Sequence, residues 1–402
     1  MRAGQIVFAQ IMQYLPLVAF ARIVAGYRAQ HKVKAFTCLD QFLALAFAQL
    51  TGRESLRDIE INLRARAKHL YRMGFRCKTI SRNTLANANG TRPWAAFADL
   101  AQHLINIARP LYRDDPVGTE FKALMGATVY ALDSTTIDLC LSLFAWAPFR
   151  STKAAIKLHT LIDLRGSIPS FIHVSDGKMP DVRALDLLCA QGVIEAGAYY
   201  VMDRAYVDFA RLHRLHTARA FFVTRAKDNL QYEIVRRKAV HTFTGLRSDH
   251  QVRLTGTVSC KRYPDVLRRV VYFDEDTGKT FAFLTNNLTL PSLTICALYK
   301  QRWQVELFFK WIKQHLRIKS FFGTSENAVK TQIWSAIATY VLIAIVKKKL
   351  HLDHSLHEIL RVLSLNMFET TPIPALLKPS FELDEPSSHH GQGNLLDRKS
   401  VV

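Results

Sequence analysis

Apolar residues recur at helical spacing through residues 1–110, and the segments 5–25, 38–50 and 55–70 each read as helices with one buried face. Segment 79–95 is polar and contains Gly and Asn, so it reads as a turn between helices. Beyond residue 120 the pattern turns to short β-rich runs. Residues 127–132 (ATVYAL) form a strand ending at Asp133. Residues 156–164 and 168–174 are two more strands, joined at Arg165-Gly166. A helix follows over 181–192, then a buried strand 198–202 (AYYVM) ending at Asp203, a helix over 206–216 and a fifth strand over 220–224.

Three strands in a meander, then helix, strand, helix and strand is a ribonuclease-H-like order: an α/β mixed sheet with flanking helices. A β-rich insertion interrupts it, with a hairpin of 270–273 and 280–284 around the turn DEDTGK. The organisation expected is a helical, DNA-binding N-terminal domain over 1–110 and a first part of the core over 120–226. The insertion over 227–290, final core helices over 291–350, a C-terminal segment over 351–384 and a disordered tail over 385–402 complete it.

The late helix carries the most informative pattern. Within YKQRWQVELFFKWIK, Tyr299, Arg302, Glu306 and Lys313 fall on one helical stripe. Val305, Phe309, Ile312 and Leu316 form an apolar stripe beside it. One carboxylate is thus raised among cations and a phenol. If the first and fourth strands are neighbours, Asp133 and Asp203 end side by side and the late helix brings Glu306 to them. Taken singly, each acid also reads as a turn, a cap or a solvated helix residue paired with Arg302 or Lys310. Together they form an oxygen-ligand set suited to two Mg²⁺ or Mn²⁺ ions, which would relieve their mutual repulsion.

Charge narrows the partner. Lys and Arg number 54 against 33 Asp and Glu, a net +21, and nucleic acid is the expected counterpart. Arg302 and Lys313 are expected to contact phosphates, and Arg204 and Tyr206 to steer the strand. Lys157 and His159 sit on the second strand near this site; a structural histidine is the ordinary reading of the latter. The six cysteines contain no CxxC pair and suit reduced thiols. The apolar run 333–346 is broken by Ser335 and Thr339 and reads as a buried helix. The start MRAGQIVFAQ lacks a secretory pattern, so a cytoplasmic protein is expected.

Tyr299-x2-Arg302-x3-Glu306-x6-Lys313 resembles the Y-(2)-R-(3)-E-(6)-K signature of IS-four-type insertion-sequence transposases of the DDE superfamily. Asp133 in Leu-Asp-Ser-Thr looks like the first aspartate, and Asp203 in Asp-Arg-Ala-Tyr like the second. The resemblance runs over about residues 1–350. It implies Asp133, Asp203 and Glu306 as catalytic metal ligands, Tyr299 among the DNA contacts, and a homodimer on double-stranded inverted-repeat ends. It also implies cut-and-paste transposition, in which 3′-OH ends are joined to target DNA. Relatives release the element through a DNA hairpin, with a Trp of the insertion holding a flipped base. Here the tryptophans are Trp94, Trp146, Trp303, Trp311 and Trp334, none of them in the insertion. Tyr263, Tyr272, Phe273, Phe281 and Phe283 are the rings available there, for stacking or for core packing. A catalytically silent DNA-binding descendant and a ribonuclease-H-like nuclease without strand transfer are the competing readings. Nicking of a DNA end separates the first of these, and joined product the second.

Overall fold

A computed structural model describes residues 4–115, 121, 124, 126–151, 153–316 and 321–378; the tail expected over 385–402 lies outside them. The chain begins with α1 (Val7–Met12), α2 (Leu17–Gly26), α3 (Cys38–Thr51), α4 (Leu56–Ala65), α5 (Arg82–Thr91) and α6 (Ala95–Leu111). The helix expected over 5–25 is two, because Pro16 lacks an N–H and α2 restarts directly after it. The helix expected over 55–70 stops at Ala65 and passes into 3₁₀ turns. Within segment 79–95 residues 82–91 form α5, and the chain turns at 92–94 before α6. Ser81 caps α5 by accepting from Thr84 N, and Leu85, Ala88 and Asn89 are buried.

Strands β1 (Val129–Leu139), β2 (Pro148–Arg150), β3 (Lys153–Asp163) and β4 (Ile168–Asp176) come next, then α7 (Arg183–Ala190), β5 (Tyr199–Met202), α8 (Phe209–Thr217) and β6 (Phe221–Arg225). The segment 227–290 supplies β7 (Tyr232–Lys238), β8 (Leu246–Leu254), α9 (Ser259–Arg262), β9 (Leu267–Asp274) and β10 (Lys279–Thr285). These strands continue the same sheet. Its order is β2-β3-β1-β5-β6-β10-β9-β8-β7, with β4 also paired to β3. β1 runs antiparallel to β3 and parallel to β5, and β5 runs parallel to β6.

Alternation along the strands builds two apolar layers. Tyr130, Leu132, Tyr200, Met202 and Phe222 face α7 and α8. Val129, Ala131, Val201 and Val223 face the helices on the other side. There lie α10 (Ser292–Lys300), α11 (Trp303–Leu316), α12 (Glu326–Lys349), α13 (Leu356–Asn366) and α14 (Ile373–Leu376). α12 packs against α6, α3, α5 and α11. Of the described helices it is the one long and apolar enough to cross a membrane, yet 94% of its apolar window is buried within the protein, so it is a core helix. The first helices belong to this same core. Val7 N donates to Glu369 O at 2.8 Å, and the Gln10 side chain donates to Thr371 O at 3.0 Å.

Two differences from the sequence reading bear on function. β1 does not end at Asp133 but continues to Leu139, held by its antiparallel pairing with β3. The late helix is not continuous: α10 ends at Lys300 and α11 begins at Trp303. Across the break the backbone bonds tighten to the i→i−3 pattern, as in Arg302 N to Tyr299 O and Val305 N to Arg302 O, both 3.1 Å.

Candidate functional site

Asp133 stands where β1 changes environment. Its last parallel partner is the Leu132–Met202 pair, so Asp133 and Asp203 both follow directly from one register position. Val129 to Leu132 are all buried, whereas from Asp133 onward burial is partial or alternating. This is the juxtaposition expected of the two aspartates, reached by the end of β5 rather than by the end of β1.

The α10–α11 break supplies the third acid. Arg302 Nη1 donates to Asp133 Oδ2 at 2.7 Å, and Nη2 to Glu306 Oε1 at 2.6 Å. Tyr299 OH donates to Asp203 Oδ1 at 3.2 Å. So Arg302 links Asp133 to Glu306, and Tyr299 holds Asp203. Glu306 is exposed, while Asp133 and Arg302 are half-buried. Burial pushes the Asp133 carboxyl up to about 6; Ser134 N and Arg302 oppose this, and Glu306 and Asp203 add to it. Burial, with Asp203 adding, also lifts the Tyr299 phenol to about 12, so it stays a proton donor.

Arg302 and Tyr299 thus hold carboxylates here, where contacts to DNA were expected of them. Lys313 is exposed and lines an open cavity of about 570 Å³ with Asp133, Ser134, Thr135, Glu306 and Phe309. Arg204 is exposed and lies 3.5 Å from Asp228. Tyr206 corrects the sequence reading: with 1% of its surface exposed, it packs in the core under the site and cannot touch a strand. His159 is fully buried, its Nε2 3.1 Å from Ser175 Oγ, and burial lowers its pKa to about 4; its role is structural. Of the insertion's rings, Tyr263 and Phe283 are core residues, and Tyr272, Phe273 and Phe281 are half-buried.

Two neighbours escaped the sequence reading. Asp181 accepts from Ser134 Oγ and from Lys157 Nζ, the latter at 3.0 Å, which adds a fourth carboxylate beside Asp133. It follows Pro180 at a helix start, where an aspartate reads as a cap. Arg225, at the end of β6, lies over the Phe281 ring at 5.1 Å and acts on the Tyr299 phenol.

The all-oxygen donor set suits a hard divalent ion, and burial, with Glu306 and Asp203 adding, raises the Asp133 pKa. Yet among the described residues no three His, Cys, Asp or Glu side chains are gathered closely enough to hold one. The reason is visible: Arg302 bridges Asp133 and Glu306 and takes the cationic position itself.

Fold and site define an α/β protein with a carboxylate-centred site where β1 and β5, inner strands of a mixed sheet, part company. Residues 125–342 match the transposase DDE domain, and residues 3–76 match a domain of unknown function, DUF4372. A Sinorhizobium fredii relative described as transposase y4zB is 33% identical over 302 residues, covering 73% of this chain and 80% of that protein. A Geobacillus stearothermophilus relative, described as the transposase of insertion sequence element IS5377, is 34% identical over 214 residues, 53% of this chain and 55% of its own. A Synechocystis relative, described as the transposase of element IS4SA, is 24% identical over 339 residues, 81% and 88% respectively. A solved piggyBac transposase synaptic complex with hairpin DNA is similar at 12% identity and a TM-score of 0.43, covering 93% of this chain and 80% of that one; so distant a likeness carries no weight below. The chain belongs to the DDE transposase family of insertion sequences. It is a DNA transposase, an enzyme whose DDE domain spans Asp133, Asp203 and Glu306.

Proposed function

We propose that this transposase moves its element by cut-and-paste chemistry on a ribonuclease-H-like core, with Asp133, Asp203 and Glu306 as its catalytic acids. The observation that carries the reading is that Arg302 bonds both Asp133 and Glu306 while Tyr299 holds Asp203, which follows the strand position beside Asp133. The strand order, a meander of β1, β3 and β4 followed by parallel β5 and β6, supports the fold assignment. DDE transposases generally use divalent metal ions. Mg²⁺ or Mn²⁺, as a pair, would be held by the three acids, and such ions supply activation of the attacking hydroxyl and stabilisation of the leaving oxygen.

The chain's own residues then have distinct tasks. Tyr299 donates to Asp203 and orients it. Arg302 neutralises Asp133 and Glu306 before DNA arrives, and its fork suits transfer from carboxylates to phosphate oxygens. Lys313 and Arg204 extend positive charge along the open side, where a phosphate backbone approaches. The basic N-terminal helices bind the inverted-repeat ends in a homodimeric synaptic complex, and the liberated 3′-OH ends join target DNA.

The test is to incubate the protein with a DNA fragment bearing the element's end and with Mg²⁺, beside Glu306→Gln and Asp203→Asn. Nicking and joined product in the wild type, with each variant binding DNA but not cutting it, are expected. Binding without nicking by the wild type would refute the catalytic assignment, and nicking without joining would favour a nuclease.

A further inference from the structure

Behind the catalytic helix lies a second cavity, of about 420 Å³, bounded by α11, α12, the start of α13 and the turn at Gly166-Ser167. This volume lies within the ordinary range of small-molecule sites. Its walls are aromatic. Phe308 and Trp311 pack against Tyr340, with centroids 5.1 and 4.8 Å apart, and Tyr112 closes one side. The phenols leave no polar tip in the cavity, since Tyr112 OH donates to Ala344 O at 2.7 Å and Tyr340 OH to Ser167 O at 3.1 Å. Leu307, 47% exposed, adds an apolar rim.

The remaining polar demand has one sign. Ser355 is used in capping α13, and Gln304 bonds Ser167 and Gln301. Lys310, Lys347 and His357 also line the cavity, and among the described residues none has a hydrogen-bond or ion-pair partner. Among the described residues no carboxylate lines it. The nearby Asp115 is taken by Lys348. Lys347 is half-buried, and burial lowers its pKa. Burial outweighs the pull of Asp115, Asp353 and Glu358 on this ammonium, and none of the three lines the cavity, so an anion seated there offsets the remaining cost.

We propose that this cavity is a binding site for a small aromatic anion, its ring against Phe308 and Trp311 and its acidic group on Lys347. Glu306 directly precedes Leu307 on the same helix, so an occupant braces the element that carries the third acid. The site stands apart from the catalytic reading, because its occupancy is measured on metal-free protein without DNA.

The probe is 1-naphthyl phosphate, titrated by calorimetry into the full chain, with neutral 1-naphthalenemethanol as comparison. Saturable binding of one probe per chain is expected. Lys347→Met and the neutral compound should each weaken it by at least about tenfold, the loss of one charge-assisted contact. Leu307→Trp, which fills the rim, should abolish it, with circular dichroism confirming that both variants fold. Absence of saturable binding, equal affinity in folded Lys347→Met, or equal binding of the neutral compound would overturn the assignment. Should Leu307→Trp not fold, Lys347→Met and the neutral compound decide.

Discussion

Arg302 is the residue on which the site turns. It neutralises two carboxylates at once, and one of them, Asp133, is half-buried with a pKa of about 6. Arg302→Ala should therefore destabilise the metal-free protein by about 1–3 kcal/mol, the cost of a partly buried charge left unpaired. If divalent ions bind the same carboxylates, Mg²⁺ should raise the Tm of Arg302→Ala more than that of the wild type; scanning calorimetry with and without Mg²⁺ checks this. His159 gives a pH dependence. Its folded pKa of about 4 lies below the ordinary imidazole value of 6.5, so neutral His159 stabilises the fold above pH 6.5, and that stability is lost as pH falls towards 4. Between pH 7 and pH 5 the loss is about 2 kcal/mol. Urea denaturation of wild type and His159→Gln at both values should show the variant's stability falling less by about that amount.

Among elements, α10 shows how the distal strands serve the site. Arg268 and Asp249 form a pair that is 1% exposed on each side, bonded at 2.8 and 2.6 Å. Arg268 also donates to Leu290 O and lies 3.0 Å from Ser292 Oγ, at the start of α10. The pair ties β8 and β9 to the helix that carries Tyr299. Asp249→Ala leaves a buried guanidinium without its partner and should cost about 3–5 kcal/mol, read from the urea midpoint. The helical character around Tyr299, Arg302, Glu306 and Lys313 was legible in the sequence, and so was the register that sets Asp133 beside Asp203, though β1 runs on past Asp133. The break between α10 and α11 was not, because hydrophobic periodicity runs unbroken through it and only the tightening of backbone bonds near residues 301–305 reveals it. Tyr206 was misread for a related reason: an aromatic beside a candidate catalytic Asp looks the same in sequence whether it faces solvent or the core.

At the scale of the whole molecule, charge dominates. A net charge of +21 predicts that DNA affinity falls steeply with salt, by about 10³–10⁵ between 50 and 200 mM if six to ten phosphates are neutralised. Fluorescence anisotropy with labelled element ends across this range measures the slope, and a flat dependence would show that the basic residues do not engage the backbone.

The sequence by itself determined the alternation of helices and strands, the candidate acids, the family and the polyanionic partner. Each of these rests on local periodicity, local motif or total charge, which one-dimensional order preserves. Tertiary structure decided what depends on neighbours distant in the chain. It carried β1 past Asp133 through its pairing with β3 and joined the strands of 227–290 to the central sheet. It sank Tyr206 and His159 into the core, and it set Arg302 between Asp133 and Glu306. It also set Lys347 against an aromatic cavity whose described lining holds no carboxylate. Burial and charge pairing are properties of the packed chain, and no single segment carries them.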